Sequence, residues 1–185
     1  MDLKGIRIGF AMTGSFCTFD RAFAEAVRLR EMGAELIPIM SEHAASISTR
    51  FGTAREHIDR LAEICGRPPI LTIEDAEPIG PKGMTDVMAV VPCTSNTAAK
   101  LAHAVTDTAV TMAVKSHLRG QRPVVLAIAS NDALAASLQN IGILKNTRHY
   151  HLVPLLPDDP VRKPNSLVAA FDRLPETIAA ALEQG

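Results

Sequence analysis

Short runs of apolar residues alternate along the chain with longer segments in which apolar residues recur every three or four positions. The short runs have the length of buried strands, whereas the longer segments are typical of helices that cover a sheet. This pattern predicts strands at 6–12, 36–40, 71–73, 87–91, 124–129 and 150–153. It predicts helices at 19–32, 53–65, 95–119 (in two pieces), 132–141 and from 166 onward with a bend at Pro175.

Local signals set the boundaries of these elements. Gly33 stands where the first helix needs a C-cap, and Thr53 with Glu56 has the spacing of a capping box at the start of the second helix. Proline and glycine in 74–83, and four prolines in 154–165, predict two long loops.

Alternating strands and helices predict an α/β fold. We expect a doubly wound, mostly parallel sheet with helices on both faces, that is, a Rossmann-like or flavodoxin-like three-layer sandwich. The chain shows no internal repeat and no linker, so residues 1–185 are expected to form a single domain.

Composition narrows the possible functions. Apolar residues make up 47% of the chain, and the net charge of −1 lacks the basic excess of a nucleic-acid or membrane-surface protein. Aromatic residues are only 4%, and there is no tryptophan. Three widely spaced cysteines predict neither a disulfide framework nor a metal site. Without a signal peptide or an apolar stretch of about 20 residues, the chain is expected to be soluble and cytoplasmic.

Small polar residues follow four of the predicted strands. These segments are Thr13–Ser15, Ser41–His43, Pro92–Thr97 and Ser130–Asp132. Ligands of parallel sheets bind at the carboxyl ends of the strands, and helix N-termini there attract anions. Ordinary helix caps explain any one of the four segments, whereas four at one edge favour a site for a phosphate-bearing ligand.

The kind of phosphate ligand can be narrowed from the same residues. Gly9-x4-Gly14-Ser15 lacks the lysine of a P-loop, and the dinucleotide fingerprint G-x-G-x-x-G is absent. Glu42 follows the second strand, close to the place of a ribose-binding acid, but without that fingerprint. A mononucleotide such as FMN therefore fits better than NAD.

Two motifs resemble those of the flavoprotein superfamily. They are GFAMTGS at 9–15 and PCTSNTAAKLA at 92–102, and the second continues to Asp107. The superfamily includes FMN-dependent cysteine decarboxylases, phosphopantothenoylcysteine decarboxylases and flavin prenyltransferases. Segments 128–134, 140–144, 157–160 and 163–168 resemble one branch of it, the B subunits of dipicolinate synthases.

The resemblance implies a bound FMN and a set of residues that would contact it. Asn96 is the candidate catalytic residue. The candidate cofactor-binding residues are Thr13, Gly14, Ser15, Phe16, Ser41, Thr94, Ser95, Asn96, Thr97, Ala129, Ser130 and Asn131. Arg162 and Lys163 are further candidates for binding a substrate with two carboxylates. Cys93 and Cys17 are each expected to be a packing residue rather than a nucleophile.

The same branch implies a role in oxidising dihydrodipicolinate to dipicolinate (pyridine-2,6-dicarboxylate) during sporulation. The implied partners are a dehydrogenase-like A subunit that carries NADP and further copies of this chain in a trimer-based homo-oligomer. The implied location is the cytoplasm of the mother cell.

Two alternatives stay open. One is an FMN-dependent decarboxylase of a cysteinyl substrate, although segment 77–86 lacks the histidine of the decarboxylases and only Asn131 of their P-x-M-N-x-x-M motif is kept. The other is a non-catalytic binding subunit that has lost the flavin.

Overall fold

One sheet runs through the centre of the computed structural model, which describes residues 2–184. Within those residues the sheet contains seven strands. They are β1 (Arg7–Met12), β2 (Glu35–Met40), β3 (Val87–Thr94), β4 (Val124–Ser130), β5 (Tyr150–Leu152), β6 (Leu155–Asp159) and β7 (Lys163–Ala169).

The strand order explains how the sheet is divided. Strands β2, β1, β3, β4 and β5 pair side by side in parallel. Strand β5 pairs with the first half of β4, at Val124–Leu126, whereas β7 pairs antiparallel with its last two residues, Ala129 and Ser130. Strands β6 and β7 form an antiparallel hairpin that extends the sheet beyond the carboxyl end of β4. The predicted mostly parallel sheet is confirmed.

Helices cover both faces of this sheet, as predicted. They are α1 (Phe19–Glu31), α2 (Glu42–Ser46), α3 (Ala54–Cys65), α4 (Ile73–Ala76), α5 (Ser95–Ala102), α6 (Ala109–Leu118), α7 (Leu138–Asn146) and α8 (Leu174–Gln184). Helices α1, α3 and α8 pack on one apolar cluster, and α4 to α7 pack on the other. Successive residues of β3, such as Ala89 and Val90, enter opposite clusters because the side chains of a strand point to its two faces in turn.

The predicted caps also occur. The Thr53 hydroxyl accepts from Glu56 N at 3.2 Å, while the Glu56 carboxylate accepts from Thr53 N at 2.7 Å, which completes the capping box of α3. Gly66 ends that helix with φ +69°, and Gly33 follows α1 with φ +90°. Both glycines hold the left-handed conformation that side chains disfavour.

The strand predicted at 71–73 is wrong, as is a continuous loop over 74–83. Ile70 forms an isolated bridge with Ile39 of β2, and Thr72 then caps α4. The Thr72 hydroxyl accepts from Asp75 N at 3.2 Å and donates to the Asp75 carboxylate at 3.0 Å. Because the chain turns into a helix at this cap, it cannot continue as a strand.

The loop predicted at 154–165 and the helix start at 166 are also wrong, because these residues form the β6–β7 hairpin. Helix α8 begins only at Leu174, so Pro175 lies in its first turn, where proline needs no bend. The helix predicted at 132–141 is a turn followed by α7. No helix among residues 2–184 has the length and apolarity to span a membrane.

Candidate functional site

A cavity of about 960 Å³ opens at the carboxyl ends of β1, β3 and β4. The hairpin and the loop between α2 and α3 complete its wall. Its lining consists of Gly14–Thr18, Thr49–Phe51, Thr94, Ser95, Ala129–Asn131, Asp158, Arg162–Ser166 and Val168. This is the edge of the sheet at which parallel α/β folds bind ligands.

The structure brings most of the predicted site residues together at this edge. The residues that line the large cavity are Gly14, Ser15, Phe16, Thr94, Ser95, Ala129, Ser130 and Asn131. A smaller cavity of about 380 Å³ lies next to it and is lined by Ser41, Asn96 and Thr97. The two cavities share Gly14, Phe16, Thr94 and Ser95, so they form adjoining chambers of one site.

Thr13 lines neither cavity, because its side chain is buried beneath them. Its hydroxyl donates to the carbonyl of Pro92 at 2.8 Å and accepts from Thr94 N at 3.0 Å. Thr13 therefore joins the carboxyl ends of β1 and β3 and fixes the two motif turns relative to each other.

Thr94 and Thr97 use their hydroxyls to begin helix α5. The Thr94 hydroxyl accepts from Thr97 N at 3.2 Å and donates to the Thr97 hydroxyl at 3.1 Å. These contacts match an ordinary helix cap. The next two residues are more open: Ser95 is half-buried and lines both cavities, and Asn96 is exposed at the smaller one.

The turn after β4 is held by a carboxylate. Asp132 Oδ1 accepts from the hydroxyls of Ser130 at 2.6 Å and Ser137 at 2.8 Å. These two hydrogen bonds lower the pKa of Asp132, because they favour its charged form. The turn is thereby fixed, and it presents the exposed Asn131 to the large cavity.

The hairpin is tied to this turn and to the end of β4. The Ser166 hydroxyl donates to the carbonyl of Ser130 at 3.2 Å, and Leu134 N donates to the carbonyl of Asn165 at 3.0 Å. Lys163 Nζ lies 2.7 Å from Asp158 Oδ2 and lowers the pKa of that carboxyl. The sequence-predicted cations Arg162 and Lys163 thus do lie at the large cavity, in the hairpin rather than in a long loop.

Sequence reasoning missed the Thr49–Phe51 part of the lining. The Arg50 guanidinium lies 4.8 Å from the centre of the Phe51 ring, and Phe51 is 45% exposed. An arginine beside a phenylalanine in an otherwise polar loop, shortly after a strand end, is the signal that would have found it.

Three helices begin at the wall of the smaller cavity. Ser41, Thr94 and Thr108 cap α2, α5 and α6, and their hydroxyls accept from backbone N–H groups. Lys100 Nζ donates to both oxygens of the Asp107 carboxylate at 2.8 and 2.9 Å. The other charged residue of the described lining is Glu42, in the first turn of α2. The backbone dipoles and hydroxyls at the three helix starts are the groups of this chamber that suit an anion.

The cysteines occupy contrasting places. Cys93 is fully buried, and burial raises the pKa of its thiol to about 12, so it packs and does not act as a nucleophile. Cys17 is exposed and lines the large cavity, which corrects the expectation that it is a packing residue.

Comparison with known proteins gives consistent matches. The Flavoprotein family model matches residues 1–180. The B subunit of dipicolinate synthase from Bacillus subtilis (strain 168) is 44% identical over 180 residues, which are 97% of this chain and 90% of that protein.

Two solved structures extend the comparison. The crystal structure of the dipicolinate synthase B subunit from Bacillus halodurans C aligns with a TM-score of 0.90 and 40% identity, over 99% of this chain and 94% of that one. A dodecameric FMN-dependent Ubix-like decarboxylase from Escherichia coli O157:H7 aligns with a TM-score of 0.70 and 23% identity, over 97% and 94% of the two chains. The second match shows a shared fold.

Proposed function

The chain belongs to the flavoprotein family, and from that membership we propose that it is the FMN-binding subunit of an enzyme that oxidises dihydrodipicolinate to dipicolinate. The observation that carries this proposal is the pair of adjoining cavities at the carboxyl ends of β1, β3 and β4. Both family-like motifs, at 9–15 and 92–102, contribute to their lining. Two relatives that are 44% and 40% identical to this chain are named as B subunits of dipicolinate synthase.

The residues at the cavities fit FMN. The large cavity lies at the upper end of the volume range of small-molecule sites, and its polar lining is mostly hydroxyl, amide and backbone groups. The smaller cavity offers helix N-termini for a phosphate. Gly14, Ser15, Phe16, Ser95, Ala129, Ser130 and Asn131 would hold the flavin in the large cavity, and Ser41, Asn96 and Thr97 would hold it from the smaller one, on a base that Thr13 and Thr94 fix.

Flavin, when bound, supplies a two-electron acceptor. The oxidation removes a hydride and a proton from the dihydropyridine ring and leaves an aromatic ring, so positioning is the main task of the protein. We assign Asn96 and Asn131 to orient the bound groups through their amides. The aromatic side chains of the lining, Phe16 and Phe51, shield the site from water.

The proposal includes partners. We propose that a dehydrogenase-like A subunit carries NADP and that this chain, as one domain over residues 1–185, assembles into a trimer-based homo-oligomer. The dodecameric Ubix-like relative supports self-assembly. We place the assembly in the cytoplasm of the mother cell.

Two measurements test this function. The purified chain should bind FMN, seen as quenching of flavin fluorescence and as a visible spectrum that the apoprotein lacks. Together with the A subunit it should accelerate dihydrodipicolinate-dependent reduction of NADP. An A subunit whose rate is the same with and without this chain would refute the proposal.

The decarboxylase alternative has less support. Segment 77–86, where the decarboxylases carry their histidine, contains none. Among the described residues that line the two cavities, the one histidine is His43, which follows β2 and lines the smaller cavity. We therefore expect no release of carbon dioxide when the FMN-loaded chain is incubated with a cysteinyl peptide.

A further inference from the structure

The large cavity carries an excess of positive charge, although the chain as a whole has a net charge of −1. Its lining contains Arg50, Arg162 and Lys163 but a single carboxylate, Asp158. Lys163 Nζ lies 2.7 Å from that carboxylate, so these two charges offset each other. Arg162 Nε lies 3.4 Å from Asp159 at the tip of the hairpin, and its side chain is 87% exposed.

Arg50 differs from the other cations of the lining. Within residues 2–184 no carboxylate lies within ion-pair distance of its guanidinium, whose neighbour is the Phe51 ring. A cation at a cavity without a counter-charge is suited to an incoming anion, because a guanidinium binds a carboxylate through two parallel hydrogen bonds.

The loop that presents Arg50 is built to hold one conformation. Thr49 N donates to Gly52 O at 2.9 Å, and Gly52 N donates to Thr49 O at 3.2 Å, so Arg50 stands in a tight closed turn. Gly52 has φ +132°, and a Cβ there would lie 2.7 Å from Cε1 of His57. Only glycine allows the turn to rest directly on the His57 ring.

His57 in turn is fixed by aromatic packing. Its side chain is buried, and its ring lies edge-on to Phe19, with 4.8 Å between the ring centres. Phe23 stacks on the same ring at 6.1 Å, and Phe16, which lines both cavities, lies 6.5 Å away. His57 Nε2 has no hydrogen-bond partner among the described residues, which leaves the ring as a support and not as part of a polar network.

We propose that Arg50 binds one carboxylate of the substrate and that Arg162, on the hairpin, exchanges its exposed 3.4 Å contact with Asp159 for the second, so that the cavity selects a ring dicarboxylate over a monocarboxylate. This inference rests on the proposed function, which supplies the substrate class. His57 and Gly52 are positioning residues, since they act through the loop. An arginine also binds phosphate, so the experiment has to distinguish the substrate carboxylate from the phosphate of FMN.

The test is calorimetric titration of the full chain. FMN is titrated first, and the FMN-loaded chain is then titrated with pyridine-2,6-dicarboxylate or pyridine-2-carboxylate. The unmodified chain should prefer the dicarboxylate by roughly tenfold or more. Arg50→Gln should weaken dicarboxylate binding by roughly ten- to hundredfold, remove the preference, and leave the Kd for FMN within about twofold. Arg50→Lys should restore part of the preference.

The matched control is Arg148→Gln, since Arg148 is exposed and lines neither cavity. This substitution should leave the Kd values for FMN, pyridine-2,6-dicarboxylate and pyridine-2-carboxylate unchanged. If Arg50→Gln instead weakens FMN, Arg50 binds the phosphate, and the dicarboxylate assignment is wrong. If the unmodified chain binds FMN but neither pyridine acid, the selectivity proposal fails while the flavin site stands. Failure to bind FMN at all would overturn the proposed function as well.

Gly52→Ala tests the positioning role. The added methyl group must displace the loop from His57, so the preference for the dicarboxylate should fall while FMN affinity stays within about twofold. A general structural role would lower thermal stability and weaken both ligands together. Retention of the full dicarboxylate preference in Gly52→Ala would contradict the assignment of Gly52 and His57.

Discussion

Gly14 lies where the two cavities meet, and the protein's own packing does not require a glycine there. A Cβ at this position would come no closer than 3.6 Å to His43 or Phe16, which is ordinary van der Waals contact. A bound ligand is what would need the space. We therefore expect Gly14→Ala to keep its melting temperature within about 1 °C. It should raise the Kd for FMN by roughly tenfold or more, measured by flavin fluorescence.

The control for this substitution is Gly142→Ala. A Cβ at Gly142 meets no atom within 4 Å, and the residue lies outside both cavities. FMN affinity should be the same as in the unmodified chain. If Gly14→Ala also binds FMN with the affinity of the unmodified chain, the flavin does not approach the turn that follows β1.

His117 makes the stability of the protein depend on pH. Its Nε2 donates to the carbonyl of Pro123 at 2.9 Å, because a carbonyl only accepts. In the neutral ring, Nδ1 then accepts from the Thr85 hydroxyl at 2.8 Å. Burial lowers its pKa from 6.5 to about 4. The unfolded chain then binds a proton more readily than the folded one, so stability is lost as the pH falls from 6.5 to 4.

The expected loss from this group is about 3 kcal/mol between pH 6.5 and 4. Urea unfolding at several pH values measures it, with His117→Gln as the comparison. The variant should be less stable at pH 7.5, because the buried hydrogen bonds change, and its curve should approach that of the unmodified chain toward pH 4. Two curves that run parallel over this range would rule out His117 as the source.

At the scale of elements, the segment before β3 packs closely against helix α6 at Gly80. Gly80 N donates to the Ser116 hydroxyl at 2.8 Å, and that hydroxyl donates to the carbonyl of Glu77. A Cβ at Gly80 would lie 1.9 Å from the carbonyl oxygen of Ser116, which is backbone and cannot turn away.

Gly80→Ala is therefore expected to lower the free energy of unfolding by about 3 kcal/mol, measured in urea. Gly120→Ala is the matched control, because a Cβ at Gly120 would lie 3.4 Å from the carbonyl oxygen of His117. Gly120→Ala should therefore lower the free energy of unfolding by much less than Gly80→Ala does. Equal losses in the two variants would show that the α6 contact is not the cause.

Elements with strong periodicity or caps were predictable, such as α1, α3 and the strands β1 and β4. The hairpin was not, because four prolines in 154–165 favoured a loop. Pro157 is tolerated because, among the strands of residues 2–184, β6 lies at the edge of the sheet and pairs with β7 alone, so it needs few donors. At 71–73, β-branched residues favoured a strand, while the T-x-x-D spacing of Thr72 and Asp75, which decides the local structure, marks a helix start.

The candidate site was predictable where it follows strand ends. The turns after β1, β3 and β4 meet as expected, since the carboxyl ends of parallel strands share an edge. The hairpin enters the site because the Ser166 hydroxyl bonds to the carbonyl of Ser130, 36 residues away along the chain. The Arg50 loop is held at the site because it rests on His57, whose ring packs on Phe19 of the distant helix α1. No local spacing encodes such contacts, so these parts needed the structure.

At the scale of the whole molecule, the three cysteines lie in three different environments, one on each face of the sheet and one at the large cavity. Cys65 lies at the end of α3, in the apolar cluster formed with α1 and α8, and Cys93 lies in the cluster on the other face of the sheet. Burial raises the pKa of both thiols to about 12. Cys17 is exposed at the large cavity.

We expect one of the three thiols to react quickly with a disulfide reagent such as dithionitrobenzoate in the native protein, and all three to react in denaturant. Only the thiolate reacts, and the two buried thiols stay protonated and shielded while the fold is intact. Cys17→Ser should abolish the fast phase. FMN should slow it in the unmodified chain, because a flavin in the large cavity covers Cys17. Should FMN bind, by fluorescence, without changing this rate, the flavin would have to lie in another part of the molecule.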